Sequence, residues 1–529
     1  MMLTKNELIK DLSWPGLQKM FSSYTNGSYV PLTILSYAFE FHFFQLHAFN
    51  YHLTNLLLHT GNTLLVFWLL QLITKDTLLS FLSALFFAIN PLKTEPVAWI
   101  SARKDLLFAF FYLGSLISYL YYIHKRNSPG LLASCFALFL LATLAKPQAI
   151  SLPFILMAID SIEEPTQWTS HLISKIPFLL IAAISIYIGQ SSLVPYLSEQ
   201  TYYNSFNLLD KLFLTAFSIV FYITQSLLPI QTSCIYPYPL KLSHAFPLGI
   251  YLSPFLILSS AALIYIKFRK QKTIVFASLF FIFTLILPLS NIWLGGYFAS
   301  DRYMYLPSVG LFLGLCYFFL TAAKNRFNSF LKWTKLLTII FILFLCVLSA
   351  GKCFVWKNDM TLWTDMLETF PNIALAYNNR GGAYMEYGEY EHALDDFNQA
   401  IHLNPKYKDA FFNRGLLYTD TSQFEKAIAN YDAIIALDSK HIESYNNRGF
   451  IYFKLDNYPQ ALKDFTKALA IDPTYKTARM NLAECYVQTK DYDNALLEAQ
   501  YILNTEPSNQ EALKIKETIN RSKQKTHEL

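Results

Sequence analysis

The chain has 529 residues, of which 53% are hydrophobic and only 15% charged, with a net charge of +5. Soluble domains carry about 25% charged residues, so an ordinary soluble enzyme is excluded. The positive excess is too small and scattered for a nucleic-acid partner, and six cysteines without a shared spacing exclude a disulfide framework or a metal knuckle.

Apolar and polar residues are segregated along the chain. Residues 51–355 hold repeated apolar runs near the roughly 20 residues that a spanning helix needs, whereas 356–529 are polar and charged. The pattern predicts an all-α protein: a polytopic transmembrane helical domain over 51–355, followed by a superhelix of repeats.

Residues 1–50 read as an external loop carrying one surface helix. In MMLTKNELIKDLSWPGLQKMF, Ser13 or Asp11 caps a short helix whose Trp14, Leu17, Met20 and Phe21 share an apolar face, suited to lying on a membrane. Candidate spans follow at 52–73, 78–92, 105–123, 129–146, 150–162, 175–192, 208–229, 249–267, 273–290, 304–322 and 334–352. The basic clusters HKRN (124–127), KFRKQK (267–272) and KNRFNSFLKWTK (324–335) mark cytoplasmic ends. From these anchors, residues 90–105, 295–305 and the repeats fall on the non-cytoplasmic side. Counting every run between 124 and 267 as a crossing gives the wrong parity. One segment there, 150–162 or 208–229, is therefore re-entrant, surface-lying or miscounted.

Polar residues crowd at a few span ends. Lys93, Glu95, Trp99, Arg103, Lys104 and Asp105 all fall within 90–105. Interfacial anchoring accounts for Trp and for snorkelling cations, but it would favour basic residues on the cytoplasmic side, opposite to this segment. Asp301, Arg302 and Tyr303, with Tyr305, open a later span, and Lys146 precedes Pro147 between two short apolar runs. A lysine in such surroundings is costly unless it meets water or an anion. Arg103, Lys104, Lys146 and Arg302 are the residue types that hold a phosphate or diphosphate at a membrane surface; Glu95 and Asp105 are the acid/base or metal-ligand candidates. His42, His47, His52 and His59 do not share one helical face, so no metal site is assigned. Gly295-Gly296 reads as a turn, since no phosphate-loop pattern follows it.

The tail repeats itself at a step of 34 residues. Gly381, Gly415 and Gly449 align with Ala483; Tyr390 with Phe424, Tyr458 and Tyr492; Ala393 with Ala427, Ala461 and Ala495. This is the tetratricopeptide period. Small residues let the two helices of each unit approach, an aromatic wedges between them, and a closing proline stops the unit. Residues 356–371 form a connecting half repeat, 372–507 four repeats, and 508–529 a capping helix and polar tail. Four units stack into a superhelix whose concave face suits peptides or neighbouring proteins. The shared Asn-Arg-Gly tripeptides are turn and packing signatures, or they mark a binding groove.

YVPLTILSYAF, YHLTNLLLH, FFAINPLKTEPVAWISARKDLL, LAKPQAISLP and FASDRYMYLPSVGL, followed by these repeats, resemble the transmembrane and tetratricopeptide repeat-containing proteins and their bacterial relatives. The resemblance covers nearly the whole chain. That family is similar to the GT-C class of membrane glycosyltransferases. The resemblance therefore implies transfer of a sugar from a polyprenyl-phosphate carrier to a protein or lipid acceptor on the non-cytoplasmic face, with the repeats recognising the acceptor or a partner. The animal members are O-mannosyltransferases that use dolichyl-phosphate mannose. The lipid-linked sugar is a donor substrate; no cofactor is assigned, and a divalent-metal requirement stays open.

The resemblance also places Glu95 as the acidic residue of the second external loop, Arg103-Lys104-Asp105 as the family's RKD, and Asp301-Arg302-Tyr303 as its DRY-like motif. The chain departs from the family pattern at Asn90-Pro91-Leu92-Lys93, where HPLH is common, and at Val30, where an Arg commonly precedes Pro-Leu. A first spanning helix and a Trp-Asp-Asp-like acidic motif are expected ahead of the stretch that begins here. Without them, the expectation is an N-terminally truncated enzyme or a non-catalytic membrane scaffold that displays the repeats.

Overall fold

A computed structural model describes residues 6–25, 27–125, 128–163, 168–197, 206–239, 241, 245–294, 297–324 and 328–527. The start of the opening stretch (1–5), parts of two basic clusters (126–127 and 325–327) and the glycine pair at 295–296 lie outside the described residues. Among the described residues the regular structure is all helical, and it falls into two compact units, Met1–Lys357 and Asn358–Leu529.

Among the described residues of the first unit, seven helices are long and apolar enough to cross a membrane: Ala48–Thr74, Ile100–His124, Leu172–Gly189, Leu208–Leu227, Leu248–Phe268, Lys272–Ser290 and Lys335–Val355. It is a multi-pass membrane protein. Thr77–Ile89 and Pro91–Ala98 form a pair bent by 59°. Pro91 lacks the N–H that a continuing helix requires. Asn90 secures the break, accepting from the Leu92 N–H at 3.1 Å and donating to the Ser226 carbonyl at 2.9 Å. Of the two segments left open by the parity argument, 208–229 contains a full-length helix. The other holds Leu152–Glu163, only 12 residues, or about 18 Å against a hydrocarbon core of about 30 Å.

The first 50 residues are more structured than the expected loop. Ser13 caps the helix Trp14–Ser22 by accepting from the Gly16 N–H at 3.3 Å. Its apolar residues do not share one fate. Met20 is buried and Leu17 packs with Ile9, Ile34 and Tyr37, while Trp14 and Phe21 are exposed. A second helix, Pro31–Phe44, packs there too, because Tyr37 and Ala38 recur on its inner face.

Helix Arg103–His124 is the most enclosed of the spans. Toward its end, the Tyr119 hydroxyl, the Asp160 carboxylate and the Lys175 ammonium bond to one another across three helices, with Lys175 Nζ 2.7 Å from Asp160 Oδ2. All three lie away from the site described below.

The second unit is built from helix pairs: Ala374–Glu386 with Tyr390–Leu403, Lys408–Asp420 with Phe424–Leu437, Ile442–Lys454 with Tyr458–Ile471, and Lys476–Gln488 with Tyr492–Thr505. Asp359–Thr369 precedes them and Gln510–His527 follows. A Cβ at Gly381 would lie 2.8 Å from the Phe397 ring, and one at Gly415 3.0 Å from Tyr431. The glycine is thus what lets the paired helices close. Each turn between paired helices passes through the left-handed region, at Gly388, Ser422, Asp456 and Lys490.

The arginines of the Asn-Arg-Gly tripeptides act as bolts. Arg380 grips both Asp396 oxygens at 2.8 Å. Arg414 reaches Asn430 in its own repeat and Asn398 in the one before; Arg448 likewise joins Asp464 to Asp432. Arginine and glycine in that tripeptide are packing residues, and the asparagine is left over.

Candidate functional site

The site gathers the bent segment 91–98, the start of helix Arg103–His124, Lys146, and the 3-10 turn Asp301–Met304. Glu95 is buried at 2% exposure. Its carboxylate accepts from Ser300 Oγ at 3.2 Å on both oxygens, from the Arg302 backbone N–H at 2.8 Å, and from Arg302 Nη1 at 2.8 Å. Arg302 also bonds the Tyr297 hydroxyl and lies over the rings of Trp99 (5.1 Å), Tyr303 (5.3 Å) and Tyr297 (5.7 Å). Trp99 in turn stacks on Trp356, with ring centroids 6.2 Å apart.

Asp301 points away from Arg302. Its Oδ1 meets the Tyr236 hydroxyl at 2.7 Å, and Tyr236 is itself pinned by backbone bonds to Phe298 and Ala299. Burial, and then the neighbouring Glu95 charge, push the Asp301 carboxyl well above the usual carboxylate range.

The second ion pair joins Lys146 to Asp105 Oδ1. Lys146 also faces the Tyr303 ring at 5.7 Å. The other Asp105 oxygen, Oδ2, is buried and has no hydrogen-bond partner among the described residues. Lys104 is half-buried, within electrostatic reach of Arg302, Lys146, Asp105 and Glu95. No hydrogen bond or ion pair engages its ammonium among the described residues, so consecutive residues contribute an uncommitted cation and an uncommitted carboxylate oxygen.

Two of the expected site residues stand elsewhere. Arg103 was expected to hold phosphate, but it is 0% exposed. Its guanidinium is consumed by Glu40, by Asn55 Oδ1 at 2.9 Å and by the Tyr51 carbonyl at 3.0 Å, between the Tyr37 and Tyr51 rings. A cation so enclosed cannot reach a ligand. Lys93 is likewise internal: its ammonium donates to the Met304 and Tyr305 carbonyls at 2.6 and 3.2 Å and to Ser308 Oγ at 2.7 Å. It ties the bent segment that carries Glu95 to the turn that carries Arg302. His59 spends both ring nitrogens, on Tyr305 and on the Ala88 carbonyl. Among the described residues no three His, Cys, Asp or Glu side chains converge as metal ligands.

Ser300, Tyr297, Tyr236 and Glu40 were not foreseen. Glu40 did leave a signal, since a lone carboxylate in the run SYAFEFHFF demands a buried partner.

Family models for the tetratricopeptide repeat match residues 374–407 and 442–475, and a second repeat model matches 415–456. The chain is similar to the protein O-mannosyl-transferase F38B6.6 of Caenorhabditis elegans, 26% identical over 406 residues that make up 73% of this chain and 55% of the relative. It is similar also to the human protein O-mannosyl-transferase TMTC3, at 24% over 431 residues, 72% of this chain and 45% of that one. The chain is a relative of the transmembrane and tetratricopeptide repeat-containing proteins. It spans about half the length of the curated relatives it matches. Among solved structures, YrrB, a TPR protein with an unusual peptide-binding site, aligns with a TM-score of 0.26 and 17% identity, over 30% of this chain and 90% of that one.

Proposed function

We propose that this relative is a membrane glycosyltransferase that moves a sugar from a polyprenyl-phosphate carrier to a hydroxyl of a protein acceptor on the non-cytoplasmic face, with the repeats recognising the acceptor. The observation that carries the reading is that, among the described residues, the Lys104 ammonium has no hydrogen-bond or ion-pair partner and feels the charges of Asp105, Glu95, Arg302 and Lys146, while the neighbouring Asp105 Oδ2 is buried without a partner. Both stand at the beginning of a spanning helix, where a lipid-borne phosphate would arrive.

In this scheme Lys104 meets the donor phosphate, with Lys146 beside it. Asp105 Oδ2 takes the proton of the acceptor hydroxyl while that oxygen bonds to the sugar C1. The bond from C1 to the phosphate oxygen breaks, and its electron pair leaves on the phosphate, where the lysines stabilise the developing charge. Glu95 has its acceptor sites filled and holds Arg302 in place; it is a positioning residue. The names of the relatives support mannose as the first sugar to test.

The test is transfer of radiolabelled mannose from polyprenyl-phosphate mannose to membrane-fraction protein by the purified full chain in detergent. Wild type should transfer label, Asp105→Asn should not, and Lys104→Ala should transfer only at raised donor concentration. A folded wild type with no transfer from mannose or glucose donors would overturn the reading in favour of a scaffold.

A further inference from the structure

A cavity of about 520 Å³ lies between the second helices of two successive repeats, Phe424–Leu437 and Tyr458–Ile471, with Ile442–Lys454 beneath it. Ile435 and the buried Tyr445 give it an apolar wall and floor. Arg448 grips Asp464 at 2.7 and 2.8 Å and also reaches Asp432, so the charges at the floor are committed to one another. Lys463 and Lys467 stand exposed at the rim, one helical turn apart. Neither has a hydrogen bond or an ion pair among the described residues. The 34-residue period supplies a control. The positions equivalent to Lys463 and Lys467 hold Asp395 and Gln399, Ala429 and Ala433, and Leu497 and Tyr501 in the other repeats. The packing of a repeat therefore does not ask for lysine there, and like charges four apart on a helix oppose it.

The first repeat carries the complement. The turn between its helices reads Glu386-Tyr387-Gly388-Glu389-Tyr390-Glu391, and every residue of it is exposed. Tyr387 is 63% exposed. Its equivalents are Thr421, Leu455 and Thr489, so a ring at this position belongs to the first repeat alone. Glu389 faces His392 at 3.3 Å. Glu386 and Glu391 have no ion-pair partner among the described residues.

We propose that Tyr387 of one copy enters the third-repeat cavity of a second copy, with Glu386, Glu389 and Glu391 meeting Lys463 and Lys467. The cavity falls within the roughly 300–1,000 Å³ of ordinary ligand pockets. The ring gains the apolar wall and the faces that ammonium groups favour, while the carboxylates answer the two rim charges. One chain cannot make this contact with itself, because each repeat in a stacked array touches only its neighbours, and the first and third are not neighbours. The knob and the cavity are different surfaces, so the contact is heterologous. Each added copy leaves one knob and one cavity open at the ends, and the copies propagate as an open row. Exposed ion pairs contribute little each and are screened by salt, so the contact is weak and salt-sensitive. Assembly of this kind is independent of sugar transfer.

The experiment measures the mass of the full chain in detergent by sedimentation, over a range of protein and salt concentrations. Wild type should associate as its concentration rises, and the association constant should fall by at least about tenfold from low to high salt. The cavity variant Lys463→Glu, Lys467→Glu and the turn variant Glu386→Lys, Glu389→Lys, Glu391→Lys should each lose at least about tenfold in self-association, at an unchanged melting temperature. Mixing the two variants should restore association, since every turn then meets a cavity of opposite charge. If a charge variant fails to fold, Tyr387→Ser carries the test and should show the same loss. A wild type that stays monomeric at every concentration would overturn the proposal. So would association that the folded variants leave unchanged, or folded charge variants whose mixture stays apart.

Discussion

Glu95 and Arg302 lie 207 positions apart in the chain and make both a side-chain ion pair at 2.8 Å and a carboxylate-to-backbone bond at 2.8 Å. The pair fastens a bent helical segment to a 3-10 turn, and the aromatic rings of Trp99, Tyr297 and Tyr303 shield it from water. Removing one member of such a pair leaves a buried charge without compensation.

Glu95→Gln should therefore destabilise the first unit by about 3–5 kcal/mol. Thermal melting in detergent reads this loss. The double variant Glu95→Gln, Arg302→Met should recover a good part of it, since the orphaned guanidinium is then gone. Equal melting of Glu95→Gln and wild type would show that the pair holds nothing together.

Lys104→Ala should behave in the opposite way. The ammonium has no partner to lose and has cationic neighbours, so the melting temperature should hold or rise. The stabilisation that added polyprenyl phosphate gives the wild type should fall by at least about tenfold in apparent affinity. A variant that melts early without ligand would make Lys104 a structural residue.

Asp301 supplies a pH prediction. Its folded-state carboxyl titrates well above the usual carboxylate range, because of burial and the Glu95 charge. Over the interval from the unfolded carboxylate value, about 3.9, up to that raised value, the native state binds more protons than the unfolded one. The contribution of Asp301 to stability is thus full in acid and declines as the pH rises through this interval. Asp301→Asn keeps an acceptor for Tyr236 and removes the ionisation. It should melt higher than wild type at neutral pH, with the difference shrinking as the pH is lowered. A constant difference across the range would refute the assignment.

In the repeats, Ser422→Gly and Lys490→Gly should each raise stability by about 0.5–1 kcal/mol, because both positions hold positive φ, at 57° and 62°. Gly381→Val should do the reverse and cost a few kcal/mol, since the first added carbon already meets the Phe397 ring at 2.8 Å. Circular dichroism melts distinguish the two signs.

The repeats were legible because a period of 34 carries its own register, and the small and aromatic residues that define it pack within one repeat. Apolar length found the seven full-length spans, but it also proposed 78–92, 129–146, 150–162 and 304–322, which hold a bent pair and shorter helices among the described residues. An apolar run does not say where a helix breaks. The site was legible only as an inventory. Neighbours in sequence, Arg103, Lys104 and Asp105, suggested a shared role, yet successive residues on a helix diverge by about 100°. Arg103 turns inward to Glu40, while Lys104 and Asp105 face Arg302 and Lys146. The long-range partners Ser300 and Tyr297 had no pattern to announce them; only the unpaired charge of Glu40 in an apolar helix did so.

The last spanning helix ends at Val355, and the residue after it, Trp356, stacks on Trp99, which also carries the Arg302 guanidinium. The polypeptide leaves the membrane unit for the repeats at Lys357–Asn358. Tension on the chain at that exit is therefore borne one ring away from Arg302. The anchor of the tether, Trp356, and the support of the ion pair, Trp99, are two indoles stacked on each other.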